Sequence, residues 1–463
     1  MAEYDYDLVI IGAGPGGYVA GIRASQLGLK AAVIEKEAPG GVCLNWGCIP
    51  SKALIHQAEI AHYAEDLKNM GATVDMGGFD YSTVHKKSRD AAGKLSKGVQ
   101  SLLKKNKIDY VSGTAVFTGP HEVQVDGKKT VSGTNIMIAT GSRPREIPGF
   151  EFDGKKIHSS RTLLEITSLP KKLVILGAGA IGMEFAYVMS AFGVDVTVVE
   201  MLDQVLPIED ADAVDVIVKA FKRYGVKMMT GTRAKSVDTK GKGVKVTVES
   251  ADAKEQTLNA DMLLVAVGRA PNTEGIGLES VGVTTEKGFV SVGDYYQSSV
   301  SGIYAIGDVT SSPLLAHVAS KEGEIAVEHM AGHHPEARIN PELIPSAVYC
   351  EPEIGSFGMT EKRAREAGLD FTAASFPYRG AGKSVAVEKS EGIVKLIYRN
   401  DTHEILGAHV AGYNATELIH ELLLAKQAEL LPEDIASMIH AHPTLSEAVM
   451  EGARSAEGWA IHF

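Results

Sequence analysis

Runs of apolar residues that stop at a glycine and resume one helix-length later organise the first two thirds of the chain. Leu8 to Ile11 runs into Gly12-Ala13-Gly14-Pro15-Gly16-Gly17, and Ala31 to Ile34 closes the segment at Glu35. An unbroken apolar run of this length reads as a strand buried on both faces, and the stretch between two of them has room for a helix of about a dozen residues. The pattern then returns: residues 8–35, LVIIGAGPGGYVAGIRASQLGLKAAVIE, align without a gap onto 173–200, LVILGAGAIGMEFAYVMSAFGVDVTVVE, with 11 of 28 positions identical. The predicted unit is strand, Gly-rich turn, helix, strand, present twice. An offset of 165 residues is far beyond the period of a solenoid, so the copies read as two separate dinucleotide-binding domains of one plan.

Between the copies, Ile136 to Ala139 reads as a strand running into Thr140-Gly141-Ser142, and Pro144 and Pro148 mark the exit from the first domain. Beyond the second copy, Met262 to Val267 reads as a buried strand ending at Gly268-Arg269-Ala270-Pro271-Asn272, and Ile303 to Ile306 as a short strand closed by Gly307-Asp308. From about residue 346 the pattern changes to alternation over Gly392 to Arg399 and to amphipathic helical spacing over Glu417 to Gln427, which predicts a separate α+β domain. The expected fold class is α/β, with Rossmann-like domains over 1–150 and 151–270, a central segment over 271–345 and a C-terminal α+β domain over 346–463.

Composition narrows the function classes. With 44% hydrophobic and 22% charged residues the chain is an ordinary globular protein, and its 49 glycines exceed the roughly 7% average, as many tight turns require. Forty-six basic against 58 acidic residues give a net charge of −12, which offers no broad positive field for nucleic acid or anionic lipid. Three cysteines do not make a secreted disulfide framework, so a reducing compartment is expected and any paired cysteines should be catalytic. Met1 to Asp7 carries three acidic residues and no basic one, the opposite of a signal-peptide start, and no uncharged apolar stretch is long enough for a membrane span. A soluble, cytoplasmic protein is the expectation.

The motifs carry the chemistry. Gly12, Gly14 and Gly17 form G-x-G-x-x-G directly after a strand: the first permits the turn, the second lets backbone N–H groups reach a pyrophosphate at a helix N-terminus, and the third lets helix and strand pack closely. Glu35 follows Gly12 by 23 residues, where a carboxylate can accept both ribose hydroxyls; Gly177, Gly179, Gly182 and Glu200 repeat the set with the same separation. A carboxylate at Glu200 repels a 2'-phosphate, and Met201 to Glu209 holds no Lys or Arg, so the second site should prefer NAD to NADP.

Cys43 and Cys48 lie in Gly40-Gly41-Val42-Cys43-Leu44-Asn45-Trp46-Gly47-Cys48-Ile49-Pro50-Ser51-Lys52. The C-x4-C spacing can close a small disulfide ring, and Pro50 suits the first turn of a helix starting near Cys48. A helix N-terminus lowers a thiol's pKa, and Lys52, four residues on, shares the helical face of Cys48. The residues alone also fit two buried small hydrophobes, a metal pair or a structural bridge. The metal reading lacks further ligands at suitable spacing, and a structural bridge runs against the compartment. Cys350, without a Cys or His neighbour at motif spacing, reads as core.

Near the end, His440-Ala441-His442-Pro443-Thr444-Leu445-Ser446-Glu447 admits two readings. Thr444 and Glu447 fit a capping box opening the last helix, with either histidine simply packed. Alternatively His442 is an acid/base oriented by Glu447, suited to moving protons on and off thiols near neutral pH. Both roles are expected to fall to Glu447 only if its carboxylate turns away from its own backbone.

Taken together, the paired dinucleotide units, G-G-V-C-L-N-W-G-C-I-P-S-K and H-A-H-P-T-L-S-E resemble the disulfide-containing pyridine nucleotide flavoprotein reductases over essentially the whole chain. Within that family the resemblance is closest to the branch that oxidises dihydrolipoamide. It implies FAD at Gly12, Gly14, Gly17, Glu35, Gly113, Thr140, Gly141, Ser142, Asp308, Leu314, Leu315, Ala316 and His317, with Lys52 beside the flavin and Glu184 as the ion-pair partner of Lys52. It implies NAD at Gly177, Gly179, Gly182, Glu200 and Gly268, a redox disulfide between Cys43 and Cys48, and an acid/base pair of His442 and Glu447. The central segment would complete the FAD site. The C-terminal domain would form a homodimer in which the His-Glu pair completes the other subunit's site.

No lipoyl-bearing segment is expected at the N-terminus, so the lipoyl group would arrive on the E2 component or H-protein of a multienzyme complex; no metal, nucleic acid or membrane partner is implied. Glutathione-type reductases need basic residues where this chain has Glu200 and Met201, and mercuric reductases need vicinal cysteines that the tail Trp459-Ala460-Ile461-His462-Phe463 lacks. Both cysteines, Lys52, His442 and Glu447 together argue against a passive nucleotide-binding scaffold.

Overall fold

Leu8, Val9, Ile10, Ala32 and Val33 lose essentially all contact with solvent, because a parallel sheet with helices on both faces has no wet side. The computed structural model describes residues 4–462, so the start of the acidic N-terminal stretch, Met1 to Glu3, and the final Phe463 lie outside the described residues. Tyr6–Ile11 pairs in parallel with Ala31–Glu35 on one side and Lys129–Ile138 on the other, with Asp109–Ser112 beyond Ala31–Glu35. Ile303–Ala305 joins the same sheet by pairing in parallel with Lys129–Ile138. An antiparallel excursion, Ala115–Gly119 and Glu122–Val125, extends the other flank.

Helix α1 (Pro15–Gln26) connects the first two strands. A short helix α2 (Gly41–Trp46), a long α3 (Cys48–Asn69) and α4 (Tyr81–Lys105) follow. Asp80 caps α4 by accepting from Ser82 N at 2.9 Å, the usual role of an Asp at that position.

The second copy builds a five-stranded parallel sheet in the order Lys227–Met229, Asp195–Val199, Lys172–Leu176, Met262–Val265, Ile157–His158. Its helices are α5 (Ser160–Leu163), α6 (Ala180–Ala191) and α7 (Ala211–Arg223). Ser142–Pro144 and Arg269–Pro271 pair antiparallel, so the exits of the two nucleotide sheets run against each other. Further on, α8 (Ala316–Met330) lies against α1: Gly16 approaches Ala319 so closely that a Cβ there would stand 3.0 Å from the Ala319 carbonyl oxygen.

The C-terminal sheet is antiparallel, in the order Ser346–Val348, Glu353–Gly358, Ile405–Gly412, Ile393–Arg399, Phe371–Pro377. The alternation over Gly392 to Arg399 does not mark a wet face. Lys395 is 2% exposed, because α7 of the second sheet's domain packs where solvent would be. Its Nζ lies 2.8 Å from Asp210 Oδ1, 2.6 Å from Asp212 Oδ2 and 2.7 Å from Glu361 Oε2. Burial works against the ammonium, but the three carboxylates win and hold its pKa well above the ordinary lysine value. Replacing Lys395 by methionine strands the buried Asp210 carboxylate, so the folded state is expected to lose on the order of 3–5 kcal/mol. A denaturation midpoint unchanged in the Lys395→Met protein would contradict this. No helix among the described residues is long and apolar enough to cross a membrane.

Candidate active site

Both Gly-rich loops are wired alike. Glu35 accepts from Ala13 N through Oε2 and from Glu37 N through Oε1, each at 2.8 Å. Glu200 accepts from Ala178 N through Oε2 at 2.7 Å and from Leu202 N through Oε1 at 2.9 Å. Each carboxylate oxygen keeps a second lone pair for a ribose hydroxyl.

The glycines divide by role. Gly12 and Gly177 sit at φ 110° and 96°, and a Cβ on them would stand 2.3 Å from Ala139 O and 2.5 Å from Ala266 O. A Cβ on Gly17 or Gly182 would press to 1.9 or 2.0 Å on the carbonyl oxygen of the first glycine of its own loop. At the middle glycines, Gly14 and Gly179, a Cβ would meet no other part of the protein within 4 Å, and each begins its helix without a side-chain cap. The chain's own packing therefore does not demand glycine there. A helix start without a side-chain cap and with room above its first glycine is what a pyrophosphate requires, so both loops fit a dinucleotide.

Gly41 brings the cysteine segment onto the first loop: it adopts φ 58°, and a Cβ would stand 2.7 Å from Gly14 Cα. Cys43 lies in α2 and Cys48 begins α3, so the helix start expected at Cys48 is present, while α2 is too short to show a helical period in sequence. The two cysteines form a disulfide with Cα atoms 4.7 Å apart, which excludes the buried-hydrophobe and metal-pair readings. Cys350 is free and fully buried.

One turn along α3, Lys52 Nζ bonds both carboxylate oxygens of Glu184 at 2.9 Å, and Glu184 is 6% exposed on α6. This pair bridges the two nucleotide domains. Tyr349, a residue the sequence did not single out, lays its ring 4.3 Å from that ammonium and donates its N–H to Glu184 Oε1 at 3.3 Å.

The other expected cofactor residues converge from distant segments. Ser142 Oγ donates to Asp308 Oδ2 at 2.5 Å, and Arg269 donates to Ser142 Oγ at 2.6 Å and to Ser142 O at 2.8 Å. Thr140 Oγ1 donates to Asn272 O at 2.8 Å, and Asn272 N donates to Gly141 O at 2.9 Å. Gly113 N donates to Glu35 O at 3.0 Å, and Gly268 O accepts from Arg145 N at 3.1 Å. Gly307 N donates to the buried Glu322 at 2.6 Å, and burial pushes that carboxyl up. Leu314 and Leu315 lead into α8, which starts at Ala316; its His317 lies 2.9 Å through Nε2 from Pro345 O. Arg269, partly buried with its Nε 3.6 Å from Asp308 Oδ2, and the buried Glu322 are polar neighbours of Asp308 that no local sequence motif announces.

At the C-terminal end, His442 Nδ1 lies 2.8 Å from Glu447 Oε1, and Thr444 N donates to Glu447 Oε2 at 2.9 Å. This corrects the expectation that the carboxylate must choose between ring and backbone: one oxygen serves each. The capping box is only half formed. Thr444 Oγ1 donates to Ala441 O at 2.7 Å, and the last helix, Ser446–Ala456, begins after Leu445. Burial pushes the Glu447 carboxyl up, but the Thr444 N–H and His442 outweigh it and hold it below the ordinary carboxylate value.

The two histidines also separate. The His440 side chain is 3% exposed and paired with Glu421 at 2.7 Å, a packed residue, whereas the His442 side chain is 75% exposed with Nε2 free to meet a substrate. Among the described residues no hydrogen bond or ion pair joins His442 or Glu447 to the Cys43–Cys48 ring.

The chain matches the pyridine nucleotide-disulphide oxidoreductase family over residues 6–323 and the dimerisation domain of the same family over residues 344–453. It is 45% identical to a dihydrolipoyl dehydrogenase of Corynebacterium glutamicum across 100% of both chains. It is 43% identical to a mitochondrial dihydrolipoyl dehydrogenase of Pisum sativum, over 98% of this chain and 92% of that one. Among solved structures it resembles LpdA of Mycobacterium tuberculosis, with a TM-score of 0.88 and 29% identity over 96% of this chain and 98% of that one. It also resembles the HOCl-induced flavoprotein disulfide reductase RclA of Escherichia coli, with a TM-score of 0.87 and 27% identity over 97% and 99%. Two Gly-rich loops wired alike, a disulfide seated on the first and these full-length matches lead to one conclusion: the chain belongs to the pyridine nucleotide-disulphide oxidoreductase family.

Proposed function

We propose that the chain oxidises protein-bound dihydrolipoamide to lipoamide with NAD as acceptor, through the Cys43–Cys48 disulfide. The observation that carries this reading is the disulfide itself, closed across the junction of α2 and α3 on top of the first nucleotide loop. FAD, held by the Gly12–Gly17 loop, Glu35, Gly113, Thr140 to Ser142, Asp308 and Leu314 to His317, supplies the two-electron relay between thiols and NAD.

The chain's own residues perform the sulfur chemistry. His442 Nε2, oriented through Nδ1 by Glu447, takes a proton from one substrate thiol. The resulting thiolate attacks Cys43 Sγ, a mixed disulfide forms, and the electron pair of the broken S–S bond leaves on Cys48. The second substrate thiol, deprotonated in turn, attacks the substrate sulfur of the mixed disulfide; lipoamide closes and Cys43 leaves reduced. Two electrons pass from substrate to protein and two protons leave the substrate. Lys52, fixed by Glu184, holds positive charge one helical turn from Cys48.

Glu200 fixes the nucleotide. Its carboxylate would repel a 2'-phosphate, and Met201 to Glu209 holds no Lys or Arg to accommodate one. Glu200→Ser is expected to raise the ratio of NADPH to NADH use, as kcat/KM, by roughly tenfold or more through removal of the like charge. An unchanged ratio would contradict the assignment.

We assign 1–150 to FAD, 151–270 to NAD, 271–345 to completion of the FAD site and 346–463 to the subunit interface, in a cytoplasmic homodimer where His442 and Glu447 of one copy serve the disulfide of the other. Ile439, 95% exposed, and Leu424, 66% exposed, give that interface an apolar surface to bury. The lipoyl group would come on an E2 component or H-protein. Steady-state assay decides: turnover with dihydrolipoamide and NAD should dominate, whereas turnover with glutathione disulfide and NADPH would overturn the reading.

A further inference from the structure

We infer that Arg161 is a positioning residue for the redox disulfide: it reaches from the second nucleotide domain, grips Trp46 inside the Cys43–Cys48 ring, and so favours ring closure. The inference rests on the redox role proposed for that cysteine pair, and not on the identity of the substrate.

Four residues lie between the cysteines, and each is held. Leu44 is packed into the core of the first domain. Asn45 Nδ2 donates to Pro39 O and Gly41 O, each at 3.0 Å, and Asn45 O accepts from Arg89 Nη1 at 2.8 Å. Gly47 folds so tightly back that a Cβ would stand 3.1 Å from Val42 O. Trp46 is held by Arg161, whose guanidinium carbon lies 3.9 Å from the indole centroid. Arg161 is itself fixed by a forked pair with Glu37, Nη2 to Oε1 at 2.9 Å and Nη1 to Oε2 at 3.3 Å. Glu37 stands two residues beyond Glu35, and Arg161 lies on α5, beside the edge strand Ile157–His158 of the second sheet.

Reduction breaks the S–S bond and frees the sulfurs to separate, but only as far as the residues between them can relax. A cation stacked on an indole opposes that relaxation, so it raises the effective concentration of one thiol at the other. Arg161 also carries positive charge, which favours thiolate and therefore pushes the equilibrium the opposite way. The sign of the effect separates the clamp from the charge.

The test equilibrates the flavin-loaded protein, without oxygen, in mixtures of glutathione and glutathione disulfide. Two glutathione thiols give two electrons and two protons to Cys43 and Cys48 and leave joined as glutathione disulfide. Alkylation and mass measurement then count the protein thiols. Arg161→Gln, Trp46→Leu and Glu37→Gln should each shift the equilibrium roughly three- to tenfold toward the dithiol. The double variant Arg161→Gln/Trp46→Leu should shift no further than the larger single change, because the two residues form one contact. Arg161→Lys, which keeps a cation for the indole but loses the fork to Glu37, should recover only part of the wild-type value.

Constants within twofold of wild type, additive shifts, or a shift toward the disulfide would each overturn the clamp. Wild-type exchange that Arg161→Gln leaves unmoved sinks the clamp alone; a shift in a protein that does not oxidise dihydrolipoamide sinks only the substrate assignment.

Discussion

Cys43→Ser and Cys48→Ser proteins are expected to lose dihydrolipoamide oxidation by a factor on the order of 10³ or more while still folding and accepting electrons from NADH. The size follows from the chemistry: without either sulfur there is no S–S bond for the substrate thiolate to attack, and no weaker version of the same step remains. Folding should survive because the ring's neighbours hold it independently of the bond. Gly41 is seated on Gly14, Asn45 is bonded to Pro39 O and Gly41 O, and α3 continues for 22 residues beneath it. The measurement is a pair of half-reactions: dithiol-driven and NADH-driven reduction of the bound flavin, followed separately. Near-normal dithiol-driven reduction in either variant would contradict the assignment of both cysteines.

The second large effect is expected at His442. His442→Ala should slow the thiol half-reaction by about 10² to 10⁴, the usual worth of a positioned acid/base, and leave the NADH half-reaction near its normal rate. Glu447→Gln should do less, because the amide oxygen can still accept from the ring and keep it oriented, although the amide NH2 cannot accept from Thr444 N and the negative charge beside the imidazole is gone. Equal damage to both half-reactions would point to a folding defect at the interface and away from proton transfer.

The parts of the molecule legible in sequence are those where one local rule decides. Buried parallel strands need unbroken apolar runs, so Leu8 to Ile11 and Leu173 to Leu176 announce themselves, and a loop that must approach another backbone needs Gly12 and Gly177. The disulfide and the His442–Glu447 pair each join positions five apart, so both are visible as local motifs, but the residues alone leave other readings open and the family resemblance chooses between them. What escaped is tertiary. Ile303–Ala305 is readable as a short strand, but not its place beside Lys129–Ile138, and α2 has too few residues for a period. Lys395 breaks the apolar pattern of its strand as a solvent-facing residue would, until α7 brings Asp210 and Asp212 over it. The grip of Arg161 on Trp46 crosses 115 positions, and no pattern in either segment points to the other. Glu447 shows a subtler limit: the sequence frames two roles as rivals, and a carboxylate with two oxygens performs both.

The most direct test of the central claim counts thiols before and after reduction. The purified, flavin-loaded protein is treated with NADH without oxygen, then denatured and alkylated. Cys350 alone should react before treatment, and Cys350, Cys43 and Cys48 afterwards, because electrons from the nucleotide have crossed to the disulfide. A count that stays at one thiol after NADH has been consumed would show that the disulfide takes no part in electron transfer, and the account would fail.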